Sequence, residues 1–271
     1  MSQAVDQLGE IIARLRAPGG CPWDREQTAA SLCPSLIEEA YEVVDAIERN
    51  HAADLKEELG DLLINILMQV EIASEQQAFT LDAIAASASE KLVRRHPHVF
   101  GDSSVATSEA VLTQWEEIKR AERAAKGPDE APETSLLDGV ARAFPALVKA
   151  QKIQKKAAKA GFDWERPEDV VEKIREEIAE VEQEIAASGR QVSRERLNEE
   201  VGDLLFAVVN LARILSMDAE SSLRAATGKF EKRFRFMERS VAEGEDFKDL
   251  SHDQMNDLWE RAKQSEKSSQ P

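Results

Sequence analysis

The chain carries the same succession of short patterns twice, and this duplication limits the available folds more than any other feature. Residues 38–42 read Glu-Glu-Ala-Tyr-Glu, and residues 176–180 read Glu-Glu-Ile-Ala-Glu. Glu57-Glu58-Leu59-Gly60-Asp61-Leu62-Leu63 returns as Glu199-Glu200-Val201-Gly202-Asp203-Leu204-Leu205. Trp23-Asp24 is answered by Trp164-Glu165, Lys91 with Arg95 by Lys229 with Arg233, and Trp115-Glu116 with Lys119 by Trp259-Glu260 with Lys263. The offsets run from 138 to 144 residues in a chain of 271. Each half must therefore build the same small fold. Between them, residues 126–134 contain Gly127, Pro128 and Pro132 and almost no large apolar side chain, as a linker does. The expected units are residues 1–125 and 135–271.

Helix-breaking residues are scarce, with 12 Gly and 9 Pro, while charged residues reach 32% against a usual ~25%. No stretch alternates with period two, so the expected fold is all-α. Helices are predicted over 29–49, 54–76, 81–95 and 109–125, and again over 167–187, 194–215, 219–241 and 252–264. Asp54 (with Glu57 three residues on), Thr80, Ser193 and Ser251 read as their N-caps. Leu59 to Val70 and Val201 to Leu215 are apolar nearly all round, which predicts burial on every side. So small a unit achieves that most easily in a bundle completed by a second copy, so a homodimer is expected.

A net charge of −17 works against binding a nucleic-acid polymer through a broad basic face. No apolar run approaches a membrane span, the first ten residues do not resemble a targeting segment, and Cys21 and Cys33 suggest no disulfide framework. A reducing cytoplasm is the expected compartment.

The doubled acidic patterns carry the chemistry. Residues three or four apart share a helix face, so Glu177 and Glu180 project together, as do Glu200 and Asp203. Counted from a turn near Ala187, both pairs lie ~10 Å along an antiparallel hairpin and meet at one height. Glu39, Glu42, Glu58 and Asp61 repeat the arrangement in the first half. Four clustered carboxylates raise one another's pKa unless a cation joins them. Oxygen ligands select Mg²⁺, with Mn²⁺ as substitute. A di-iron site needs Glu-x-x-His on two helices, and the chain has only four His in all. Mg²⁺ held by few protein ligands takes up phosphate oxygens, which points to a nucleoside polyphosphate. Lys229 and Arg233 are read as its phosphate partners, with Lys91 and Arg95 in the same places in the first half. The four Trp are read as core or dimer anchors, Trp259 being also placed to stack on a base. His96 and His98 are read as turn residues.

These doubled carboxylates, with Cys21-Pro22-Trp23-Asp24 and Arg95-His96-Pro97-His98-Val99-Phe100, resemble MazG, a family of the all-α nucleoside triphosphate pyrophosphatase superfamily. The resemblance implies Mg²⁺-dependent hydrolysis of nucleoside triphosphates to monophosphate and pyrophosphate, by homodimers of broad base tolerance. It carries metal ligation onto Glu177, Glu180, Glu200 and Asp203, and nucleotide binding onto Lys229 and Arg233. Narrower substrates (dUTP, phosphoribosyl-ATP or an alarmone) and a non-enzymatic acidic interaction module are the alternatives.

The halves differ at two informative positions. Lys173 precedes Glu176 by three residues where the first half has Ser35, and Asn210 stands where the first half has Met68. Lysine meets phosphate, and asparagine meets ribose or a metal-bound water; serine and methionine do neither as well. The second half is therefore expected to be the main catalytic centre, with metal-activated water attacking the α-phosphorus. Glu176 is read as either a water-orienting group or a solvated one.

Overall fold

The computed structural model describes residues 3–101, 103–125, 135–186, 193–241 and 246–268. Its elements are helical, with no strand among the described residues, and they divide into two compact units, 1–127 and 128–271. The proposed linker and the turn at 187–192 lie outside the described residues.

In the first unit, helices α3 (Cys33–Glu48) and α4 (Ala52–Glu75) form a hairpin, and α1 (Gln3–Arg16) packs on α4. A short α2 (Pro22–Glu26) follows α1, with Pro22 at its first turn, where a missing N–H does no harm. Helices α5 (Leu81–Arg95), α6 (Pro97–Phe100) and α7 (Ser108–Ala125) complete the unit. In the second unit, α9 (Pro167–Ala186) pairs with α10 (Arg194–Ile214), α8 (Ala146–Lys159) packs on α10, and α11 (Ala219–Arg239) pairs with α12 (His252–Ser268) after a 3₁₀ turn at Phe247–Asp249.

All eight predicted helices form, with ends shifted by at most four residues, but α1, α2, α6 and α8 had no counterpart in the sequence reading. Thr80, Ser193 and Ser251 accept the N–H three residues on, as caps do. Asp54 does not cap α4. His51 occupies that place, and Asp54 lies in the first turn, 2.7 Å from Arg49, where a carboxylate suits the positive end of the helix. His51 also stands three residues after Glu48, but it lies beyond the end of α3, so this Glu-x-x-His shares no helix face.

Ile12, Leu32, Leu67, Met68 and Ile72 form the buried core of the first unit, with Leu8, Leu63 and Leu81 against it. Arg16, nearly buried, donates to both carboxylate oxygens of Glu75 and to the carbonyls of Asp24 and Gln27, tying α1 and α2 to α4. The second unit buries Val170, Ala207 and Val209 around α9 and α10, Met237 and Leu258 on α11 and α12, and two amides. Gln151 donates to Met217 O and Gln154 to Phe206 O, which satisfies those donors inside the unit. Helix α8 ends at Gly161, whose φ of +90° turns the chain into Phe162-Asp163-Trp164.

Burial of α4 and α10 on every side does not occur within one chain. One stripe of each is buried, but Leu59, Ile64 and Ile66 on α4, and Val201, Leu205, Phe206 and Val208 on α10, are exposed, because each helix has neighbours on only part of its circumference. Trp23 and Trp164 are exposed as well and anchor no core. Among the described residues, no helix is long and apolar enough to cross a membrane.

Candidate active site

Helices α9 and α10 present their acidic faces to each other. Glu177, Glu200 and Asp203 each offer a carboxylate oxygen, all lying within 4.8 Å of one another. Glu180, one turn beyond Glu177, borders them: burial first, then the charges of Glu177 and Glu200, holds its carboxyl above the usual range. Glu177 is only 4% exposed. Its Oε1 lies 2.7 Å from Lys173 Nζ, while its Oε2 is buried without a partner. A buried carboxylate oxygen left unpaired is costly, and three convergent oxygen donors suit a hard divalent cation. The residues present fit such an ion.

The first unit repeats the geometry on α3 and α4. Glu39, Glu58 and Asp61 bring their oxygens within the same 4.8 Å. Burial and then the charge of Glu42 raise the Glu39 carboxyl, and burial and then Glu42 raise Glu58. The eight carboxylates read from the sequence thus gather four to each unit.

What surrounds the clusters differs. Beside the second lies a cavity of about 750 Å³ whose walls include Lys173, Glu177, Asp203, Asn210, Phe162 and Trp164. In the first unit Met68, at the position of Asn210, is buried in the apolar core with Ile12 and Leu32. Lys173 bridges Glu176 at 2.9 Å as well as Glu177, and both carboxylates raise its pKa, Glu177 foremost. Glu176 itself is largely exposed and faces this lysine.

Lys229 and Arg233 do not line this cavity. Arg233 donates to Glu266 on α12 at 2.7 and 2.9 Å and lies 5.4 Å over the ring of Trp259, which packs on Phe230. Within the chain, the expected phosphate ligands are thus held in the α11–α12 hairpin. The first unit matches it: Arg95 donates to Glu122, and Lys119 lies 5.2 Å over Trp115. Lys91 borders a shallow depression with Phe79 and Ile84. His96 does end a helix, as a turn residue would, and its ring lies tilted at 5.9 Å from that of Trp115; His98 instead falls within α6.

Two charged residues of the cavity wall, Asp163 and Arg213, carry no signal in the sequence pattern, and neither does its aromatic residue Phe162. The two charged residues pair across 50 residues of chain through both carboxylate oxygens. Burial-opposed hydrogen bonding to Arg213 keeps the Asp163 carboxyl below its usual range.

Fold and site together define a class: a duplicated helical hairpin protein with a cluster of convergent carboxylates in each half and a ligand-sized cavity beside one of them. The comparisons place it further. The profile of the MazG nucleotide pyrophosphohydrolase domain matches residues 27–100 and 165–235, and the chain belongs to this family. It is 48% identical to the nucleoside triphosphate pyrophosphohydrolase of Escherichia coli (strain K12), over 97% of this chain and 98% of that one. It is 43% identical to the nucleoside triphosphate pyrophosphohydrolase/pyrophosphatase MazG of Thermotoga maritima, over 95% of each. A solved structure of a mazG-related protein from Thermotoga maritima matches at 31% identity, covering 42% of this chain and 98% of that chain, with a TM-score of 0.38.

Proposed function

We propose that the chain is a Mg²⁺-dependent nucleoside triphosphate pyrophosphohydrolase whose second unit is the main catalytic half, with Mn²⁺ as an alternative ion and broad tolerance of the base. The observation that carries this reading is the unpartnered, buried Oε2 of Glu177, a residue clustered with Glu200 and Asp203 at the edge of a cavity large enough for a nucleotide. The relatives' names supply the reaction.

Glu177, Glu180, Glu200 and Asp203 would hold the ion. When bound, Mg²⁺ supplies charge neutralisation to phosphate oxygens and a lowered pKa to a coordinated water. Lys173 keeps one oxygen of Glu177 fixed and brings a positive charge to the cavity wall, where a triphosphate's oxygens arrive. The exposed position of Glu176, and its contact with Lys173, suit a group that steadies the lysine rather than one that orients water. Phe162 and Trp164 offer aromatic faces to a base. The bond made joins a water oxygen to the α-phosphorus; the bond broken is that to the bridging oxygen, and pyrophosphate leaves with the bonding pair.

The half-exposed apolar stripes of α4 and α10 support a homodimer, and a second chain is then the source of the cations that one chain's α11 keeps away from its own cavity. In the first unit the four carboxylates hold an ion without a nucleotide, since Met68 and the core around it leave no polar wall.

The test is a nucleotide panel with and without Mg²⁺, run in ¹⁸O-water. The expected result is metal-dependent release of pyrophosphate with the label in the monophosphate. Label in pyrophosphate moves the attack to the β-phosphorus, and metal-independent release removes the carboxylate site from the reaction.

A further inference from the structure

The Asn210 side chain lines the cavity two helical turns from Asp203, ~10 Å along α10, which is the reach of a sugar or base rather than of the α-phosphate. An asparagine amide presents either a donor or an acceptor to a ligand, and which one depends on how it is turned. Here its Oδ1 accepts from Arg213 Nε at 2.8 Å. A guanidinium has no acceptor, so the Asn210 atom facing it must be the oxygen. Arg213 is held in turn: its side chain is 9% exposed, and both Asp163 oxygens accept from its two terminal nitrogens. Such a bidentate pair fixes the plane of the guanidinium as well as its position.

We infer that Arg213, clamped by Asp163, is a positioning residue that turns the Asn210 amide so that its Nδ2 donors, and not its oxygen, face the nucleoside end of the substrate. This rests on the proposed function of the second unit and adds a polarity to its cavity. The wall offers hydrogen-bond donors to an oxygen or unprotonated ring nitrogen.

The duplication supplies an internal comparison. Where the second unit has Asp163, Asn210 and Arg213, the first has Pro22, Met68 and Glu71. None of the three replacements keeps its partner's chemistry, so the set is present together in the unit with the cavity and absent together in the unit whose corresponding space is packed by Met68, Ile12 and Leu32. The three residues behave as one device.

The experiment is a double-mutant cycle on the full chain with ATP as the probe, comparing Arg213→Met, Asn210→Ala and both together. One hydrogen bond of fixed sense is worth about 1 kcal/mol, so each single variant should raise KM about five- to tenfold, with kcat falling less. If Arg213 acts through Asn210, the double variant is no worse than either single one. Arg213→Lys, which keeps a donor toward Oδ1, should recover part of the loss. Should Arg213→Met fail to fold, as its melting curve will reveal, Asp163→Asn in place of Arg213→Met gives the same cycle with a two- to fivefold effect. Multiplying effects in the double variant, or an unchanged KM in Arg213→Met, overturns the positioning role while leaving the functional reading intact. A wild-type chain that turns over no nucleotide overturns both.

Discussion

Neutralising one carboxylate of the second cluster should make the protein more stable without metal and less stable with it. Glu177, Glu200 and Asp203 place oxygens within 4.8 Å of one another. At that separation two unit charges repel by about 1 kcal/mol with water's screening and about 3.5 kcal/mol at an effective dielectric of 20. Glu200 is half-buried and Asp203 exposed, so the lower figure governs. Glu200→Gln removes two of the three repulsions, about 2 kcal/mol in all. For a unit of this size that is a rise of about 4–8 °C in Tm when measured in a chelator. With Mg²⁺ at a hundred times its Kd, the wild type gains about 2.7 kcal/mol from linkage, a gain that the variant forfeits at this site. The two melting curves should therefore exchange order between chelator and saturating Mg²⁺. Scanning calorimetry across a Mg²⁺ series decides it. A variant less stable than wild type in chelator, or a wild type whose Tm ignores Mg²⁺, refutes the view that the cluster is a strained cation site.

Turnover should separate the halves: Glu200→Gln is expected to lose at least 100-fold in kcat, whereas Glu58→Gln, measured by the same pyrophosphate release, loses less than threefold. Arg95 and Arg94 hold the Glu122 carboxyl at a pKa of about 2 against its ordinary 4.5. A depressed carboxylate stabilises the fold above its unfolded pKa and ceases to do so as it protonates, so the contribution fades as pH falls from about 4.5 to about 2. The Tm difference between wild type and Glu122→Gln should shrink to nothing over that window; a constant difference contradicts the ion pair. Leu205 is 54% exposed on the apolar stripe of α10. Leu205→Glu should shift sedimentation from dimer toward monomer at micromolar concentration, and a wild type already monomeric there defeats the dimer.

The helices that carry the acidic motifs were legible because period and chemistry coincide: Glu177 with Glu180 and Glu200 with Asp203 mark both a helix face and a cluster of like charge. Leu81–Arg95 could be read to the residue, since Thr80 caps one end and His96-Pro97 closes the other. Helix α8 was hidden by its lysines, five of which lie among 14 residues; it is held by Gln151 and Gln154 bonding distant carbonyls, contacts that no local pattern announces. The Asp163–Arg213 pair spans 50 residues and was likewise invisible. The one available signal was the joint difference of three positions between the halves. Lys229 and Arg233 are expected from their spacing to meet phosphate, but within the chain Glu266 and Trp259 on the adjacent helix are the partners of the arginine on α11.

Lys173 leans on Glu177, and the first unit has only Ser35 in its place. The second cluster therefore carries a resident counter-charge that an incoming ion must compete with, whereas the first offers its acidity undiluted. Under the proposed function, free Mg²⁺ is expected to populate the first cluster at lower concentration, and the second to load best with an ion already chelated by a triphosphate, whose oxygens give the displaced ammonium somewhere to go. Under that reading a single exchanged side chain sets the order in which the two clusters load.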